Sequence, residues 1–311
     1  MINNKDYVDY LGFKCLQITN GKVKCLVTVD VGPRIIYYGF FDKNILFVDK
    51  NREIYMDGEF FDKNFKKGER YNFYGGHRLW KSEEDLFTYN CDNYPVKVQF
   101  TALGASFLSD VQKCTNLQFE LIVNMNEDGS LVVTHKITNK NVKPQILAAW
   151  GITMLAVGGI EILPMPSKKT GFLHNRTLSV WDYTDLADKR LSFVGKYLKL
   201  KYLSDTPKAL KIGIKNTDGF GFYVVDGLVF IKKVTYQTGK KYPDANCNFE
   251  AYTNDKFIEM ESLSPIEKLK QNEAVVHVEN WNIKKIDEKI RLETESEIDE
   301  FVKKHVVISV E

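Results

Sequence analysis

Cysteine is scarce and unpatterned in this chain. Cys15, Cys25, Cys91, Cys114 and Cys247 make an odd set of 5 with no CxxC spacing and no Cys/His cluster, which argues against a disulfide framework and against a zinc site. Reduced thiols fit this usage, so a cytoplasmic location is expected. Charge of one sign is missing as well: 43 basic and 41 acidic residues leave a net charge of +2, with the signs interleaved. Neither nucleic acid nor an anionic membrane is selected by such a balance. The opening residues, Met1-Ile2-Asn3-Asn4-Lys5-Asp6-Tyr7, carry no apolar segment of a secretory signal. Long hydrophobic runs are also lacking. Ile146 to Ile160 is uncharged, yet it falls short of the roughly 20 residues that cross a bilayer, and Gly151 and Gly158-Gly159 interrupt it. It reads as a buried strand, a turn and a second strand. No Gly-x-Ser-x-Gly elbow, phosphate-binding glycine loop or His-Glu-x-x-His is present, so serine-hydrolase, P-loop and zincin chemistries fall away.

What the chain does have is alternation. From Phe13 to Trp281, runs rich in Val, Ile, Tyr and Phe recur with a period of two, separated by Gly, Asn, Asp or Pro, the pattern of an all-β sandwich or barrel. Lys22 to Val29 and Arg34 to Tyr38 predict two early strands about the turn Asp30-Val31-Gly32-Pro33. Leu117 to Val123 and Leu131 to Ile137 flank Asp128-Gly129, and Gly221 to Val225 and Leu228 to Lys232 flank Asp226-Gly227. An Asp-Gly pair tolerates the positive φ of a hairpin turn. Residues 50–73 form a charged, aromatic excursion. Beyond Asp287 the charge density rises, with Ile298, Phe301 and Val302 at helical spacing, so a terminal helix is expected, with Ser296 and Asp299 as its capping pair. The division is a sandwich domain over residues 1–285 and a helical tail over 286–311.

The stretch Tyr74-Gly75-Gly76-His77-Arg78-Leu79-Trp80 places an imidazole, a guanidinium and an indole beside a glycine pair. Arg and His suit sugar hydroxyls, and a flat ring suits the C–H face of a pyranose; the alternative is a glycine turn closed by a core Trp. Period two puts Phe257, Glu259, Glu261 and Leu263 on one strand face. Two carboxylates there are either solvated or a mutually perturbed acid/base pair, and Glu250 is a third candidate on a neighbouring strand. His77 is the favoured acid. His135 and Trp150 read as core, His277 is open between core and site, and Trp181 looks loop-borne and able to meet a ligand.

Asp30-Val31-Gly32-Pro33-Arg34-Ile35 is followed by Gly75-Gly76-His77-Arg78-Leu79-Trp80 and Asp92-Asn93-Tyr94-Pro95-Val96. His135-Lys136-Ile137-Thr138-Asn139, Asn175-Arg176-Thr177-Leu178 and Trp181-Asp182-Tyr183 then lead to Glu259-Met260-Glu261-Ser262-Leu263. This order of motifs resembles a family of unknown function within the galactose mutarotase-like, or aldose 1-epimerase, superfamily. The match covers about residues 13–283. It implies a β-supersandwich whose concave face binds carbohydrate, without a cofactor or metal. In the epimerases of this superfamily a His protonates the ring oxygen and a late-strand Glu takes the anomeric proton. That Glu carries over to Glu261, with Glu259 as fallback. The His does not carry over, because Thr138-Asn139 leads to Ala148-Ala149-Trp150 without one; His77 takes its place by position in the cluster. Arg34 and Arg78 would hold hydroxyls, a phosphate or a carboxylate. Trp80 and Asn93 would shape the cleft, with Glu250, Arg176 and Trp181 as further contacts. The expected function is carbohydrate binding with interconversion of anomers. A binding module without turnover and a glycoside-cleaving enzyme using the Glu pair stand as alternatives.

Overall fold

In the computed structural model, which describes residues 6–306, the alternating runs assemble into two large antiparallel sheets. The path through the larger sheet begins Tyr7–Tyr10, Phe13–Thr19, Val23–Thr28, Ile35–Phe40, His77–Ser82 and Gln145–Leu155. It goes on through Ile258–Leu263, Phe249–Thr253 and Leu210–Ile214 to Leu178–Val180. The smaller sheet is centred on Leu228–Val234, Ala274–Lys285, Leu131–Asn139 and Leu117–Met125. Side chains from one face of each sheet interleave: Ile18, Val27, Ile212, Phe249 and Met260 of the larger meet Phe107, Leu121, Val133, Phe230 and Trp281 of the smaller. This is the dry interior of a sandwich.

The hairpins form where expected. Asp226 and Gly227 both take positive φ, 48° and 74°, as a two-residue primed turn requires. The uncharged run becomes the strands Gln145–Leu155 and Ile160–Pro164, but these lie in different sheets, so the turn between them carries the chain across the sandwich. At the end of the chain the helix Glu295–Phe301 is capped by Thr294, whose hydroxyl accepts from the Glu297 N–H while Glu297 reaches back to the Thr294 N–H. The cap therefore sits two residues before the expected Ser296. Ile298, Phe301 and Val302 pack against Phe222, Val229 and Ile231, on the outer face of the smaller sheet. Among the described residues, no helix is long and apolar enough to cross a membrane.

The excursion before Gly75-Gly76 folds over the outer face of the larger sheet. It holds a small hairpin, Tyr55–Met56 against Tyr71–Asn72, and a short helix, Glu59–Asn64. Phe61, Tyr71 and Cys91 pack there on Trp80, Trp150, Ile152 and Leu263. The glycine pair makes this possible. A Cβ on Gly75 would stand 2.4 Å from the Phe47 carbonyl oxygen, and one on Gly76 would stand 2.2 Å from that of Ile35. Both also take positive φ, so no other residue fits the close backbone approach.

Candidate functional site

The strands Ile258–Leu263 and Phe249–Thr253 turn Met260, Ile258, Phe249 and Ala251 into the sandwich, so their alternate residues, Glu259, Glu261, Glu250 and Tyr252, point outward. Register then lays out rows on the outer face. Arg78 lies opposite Ile152, Ile152 opposite Glu261, and Glu261 opposite Glu250. One row away, Trp80 faces Trp150, which faces Leu263; on the other side Glu259 faces Tyr252, which faces Lys211. Above these rows opens a cavity of about 550 Å³ whose lining includes Arg78, Trp80, Trp150, Lys211, Glu259 and Glu261, with Trp181 and Phe257 at its side.

The charged groups are wired to one another. Glu261 accepts at Oε2 from the Trp150 indole N–H at 2.8 Å and from Lys211 Nζ at 3.0 Å. The same ammonium lies 2.8 Å from Glu250 Oε2 and sits over the rings of Trp150 and Trp181. Burial alone would push Lys211 down, but Glu250 and then Glu261 outweigh it and hold the amine above its ordinary value. Burial raises Glu250 well above the usual carboxylate range despite Lys211. Glu259 accepts from Arg78 Nη1 at 3.0 Å; burial pushes it up to about 7, with the guanidinium opposing. The cavity thus presents one carboxylate held by an ammonium and an indole beside another poised near neutrality. That is the pairing acid/base work at pH 7 calls for.

His77 is not part of this arrangement. It neighbours Arg78 on the strand His77–Ser82, so it points to the opposite face, into the sandwich, where it is fully buried. There Nδ1 meets Thr153 Oγ1 at 2.8 Å and Nε2 meets His135 Nε2 at 2.6 Å. The reading of His77 as the acid partner of Glu261 is therefore corrected: the sheet itself lies between them. His135 is core as expected, and His277 joins it, bonded to Ser262 Oγ at 2.6 Å. Glu279 anchors the cluster, accepting from Lys232 Nζ, Ser262 Oγ and Trp281 Nε1 at 3.0, 2.6 and 2.7 Å. A Cβ on Gly151 would stand 2.5 Å from Glu279 Oε1, so this glycine leaves the cluster its room.

His77, His135 and Glu279 present ligand atoms within 4.8 Å of one another. The donor set does not suit a metal. Two imidazole nitrogens on one tetrahedral ion stand roughly 3.3 Å apart, whereas these Nε2 atoms are at hydrogen-bond spacing, and Glu279 already carries an ammonium. The cluster is satisfied internally and braces the strand that bears the carboxylates: Lys232 Nζ also donates to the Met260 carbonyl at 2.9 Å, and Ser262 is tied to Glu279.

Of the other sequence candidates, Arg78, Trp80, Glu259, Glu261 and Trp181 converge on the cavity. Glu250 stands behind Lys211 as its second carboxyl partner. Arg34 is buried beneath the excursion, bonded to Asp92 at 2.9 Å and to the Tyr71 hydroxyl and Phe73 carbonyl. Asn93 ties Tyr74, Asn72 and Glu69 together, so both residues hold the excursion in place and stay clear of the cavity. Arg176 bonds the Pro166 and Gly195 carbonyls in a separate loop. Two contributors went unread. Trp150, which reads as core, presents its N–H to Glu261, and Lys211 is a single cation in the strand run Leu210-Lys211-Ile212-Gly213-Ile214 that belongs to no motif. Glu250 lies on the neighbouring strand and Glu261 on the one beyond it, so the three meet only once the sheet is assembled.

No family model matches the sequence, and no curated protein matches it. Solved structures do share its fold. A galactose mutarotase-like protein from Lactobacillus casei superposes with a TM-score of 0.57 at 9% identity, covering 87% of this chain and 100% of its own. A candidate aldose 1-epimerase from Escherichia coli gives 0.56 at 11% identity, over 88% of this chain and 100% of that one. A galactose mutarotase-like protein from Clostridium acetobutylicum gives 0.54 at 12% identity, over 90% and 98%. The fold is thus the galactose mutarotase-like β-sandwich.

Proposed function

We propose that the chain binds a sugar ring in the outer-face cavity and interconverts its anomers, with Glu261 as base and Glu259 as acid. The observation that carries this reading is the convergence of both carboxylates, Arg78 and Lys211 on a cavity walled by Trp80, Trp150 and Trp181. Indole faces accept the C–H side of a pyranose, and the charged groups meet its hydroxyls. Fold similarity to mutarotase-like proteins agrees with a sugar ligand but does not by itself assign the chemistry.

Residues two apart on a strand lie roughly 7 Å apart on one face, so a ring seated over Ile152 and Trp150 has one carboxylate toward each side of its anomeric carbon. Glu261 takes the proton of the anomeric hydroxyl as the C1–O5 bond breaks, and Glu259 delivers its proton to O5. The ring opens to the aldehyde. Rotation about C1–C2 and reversal of both transfers close it as the other anomer, returning each proton to its donor. A well-placed acid or base contributes about 10²–10⁴-fold to such a step.

NMR saturation exchange at the anomeric proton tests this over a panel of free and phosphorylated aldoses, wild type against Glu261→Gln. Faster exchange with wild type alone is expected. Binding of a sugar without faster exchange in either protein replaces the enzyme with a binding module.

A further inference from the structure

A second cavity, of about 360 Å³, opens on the other side of Arg78 and Trp80. Its walls come from Tyr71 of the excursion, from Asn90, Asp92 and Tyr94 beyond the strand His77–Ser82, and from the end of the smaller sheet around Ser109 and Val111. Three buried polar atoms on lining residues have no hydrogen-bond partner: Arg78 Nε, Asn90 Oδ1 and Asp92 Oδ1. Arg78 itself is 3% exposed. Buried polar groups are normally paired, and here one donor and two acceptors on lining residues are left over beside a space whose volume is that of a small-molecule site. Burial, opposed by Arg34, raises Asp92 above its ordinary value; an added cation or anion would be met by mixed charge, since Lys66, Glu69, Asp110 and Lys113 all line the same space.

A hydroxyl group answers this inventory, because it donates to Asn90 Oδ1 or Asp92 Oδ1 and accepts from Arg78 Nε. Several hydroxyls on a ring with an apolar face would answer all three while stacking on the exposed ring of Tyr94. We infer that the second cavity binds a neutral sugar ring, next to the ring in the first cavity and sharing Arg78 and Trp80 with it. The inference rests on the first cavity's being a sugar site. Because Arg78 holds Glu259 through Nη1 and offers Nε to the second ring, occupancy of one cavity is felt in the other. The second ring comes either from a disaccharide that reaches across the shared wall or from a separate monosaccharide.

Isothermal titration calorimetry of the full chain with glucose, galactose and mannose, and with maltose, cellobiose and lactose, distinguishes these sources. The variants are Val111→Trp, which fills the cavity from an exposed position, and Asn90→Ala, which deletes one acceptor. A disaccharide source predicts that one of the three disaccharides binds about tenfold tighter than its monosaccharides, and that both variants remove this gain and leave monosaccharide binding unchanged. A separate-ring source predicts two binding steps with a monosaccharide, the second lost in both variants. A single monosaccharide step, with no disaccharide gain and neither variant shifting it twofold, overturns the inference and leaves the first-cavity reading standing. If none of the six sugars binds, the inference falls, while the first-cavity reading is decided by the phosphorylated aldoses of the exchange panel.

Discussion

Trp150 and Glu261 sit on adjacent strands, and the indole N–H of one donates to Oε2 of the other at 2.8 Å. Lys211 occupies the same oxygen, so the carboxylate is held from two directions while the rest of the group faces the cavity. Trp150→Phe keeps the wall and removes the donor. The expected result is a fall of about ten- to hundredfold in anomeric exchange, the size of one hydrogen bond to a charged group, with sugar affinity changed less than twofold. Saturation exchange and calorimetry on the same preparation check it.

Removing Lys211 should cost more. Lys211→Met leaves Glu250 and Glu261, both nearly inaccessible, without the cation between them. Breaking one partner from a buried ion pair typically destabilises by about 3–5 kcal/mol. Urea unfolding should show a loss of that order. Lys211→Met combined with Glu250→Leu should recover part of it, since one of the stranded carboxylates is gone.

These residues also show where the sequence was legible. The alternation in Phe257 to Leu263 by itself sets Glu259 and Glu261 on one face, and the Asp-Gly pairs mark the hairpins, because both depend on local geometry alone. Which face looks inward is a matter of what the other sheet and the excursion cover. The cluster Gly75-Gly76-His77-Arg78-Leu79-Trp80 looked like one site when read along the chain. As a strand it divides into two sets, His77 and Leu79 inward, Arg78 and Trp80 outward. Trp150 was hidden for a different reason: a strand covered on both faces loses its alternation.

His77 supplies a direct check on that division. His77→Asn strands His135 Nε2 and Thr153 Oγ1 in the core, and one buried unsatisfied group costs about 1–3 kcal/mol. Thermal unfolding should shift downward accordingly. At a temperature where the variant is folded, anomeric exchange should stay within about threefold of wild type. A loss of a hundredfold from a native fold would put the acid on the wrong side of the sheet.

Glu259 should reveal itself in the pH dependence. Its carboxyl is raised by burial to about 7 from 4.5, so it carries a proton in the folded protein where the unfolded chain has already lost one. Folding stability from this group is full below pH 4.5 and declines as pH rises to about 7. The acid's contribution to exchange declines through the same upper value. Glu259→Gln is expected to flatten both profiles, and the rate, corrected for exchange in buffer alone, should become low and level across neutral pH.

Glu279 runs in the opposite sense. Burial would raise it, but Lys232 and then the three core histidines outweigh burial and hold it below 4.5. Its stabilisation is therefore present above pH 4.5 and lost as pH falls toward the depressed value. The histidines add to the acid side: burial lowers His77, His135 and His277 below 6.5, so the unfolded chain takes up protons first as pH drops through that value. Acid unfolding followed by tryptophan fluorescence should begin below pH 6.5 and steepen below 4.5. Glu279→Gln leaves Lys232 buried without its anion, so the variant should be less stable at pH 7, with a shallower slope below pH 4.5. Because Lys232 and Ser262 tie this cluster to the strand bearing Glu259 and Glu261, the variant should also lose exchange rate at pH 7 while still folded, with the loss in turnover exceeding that in sugar affinity.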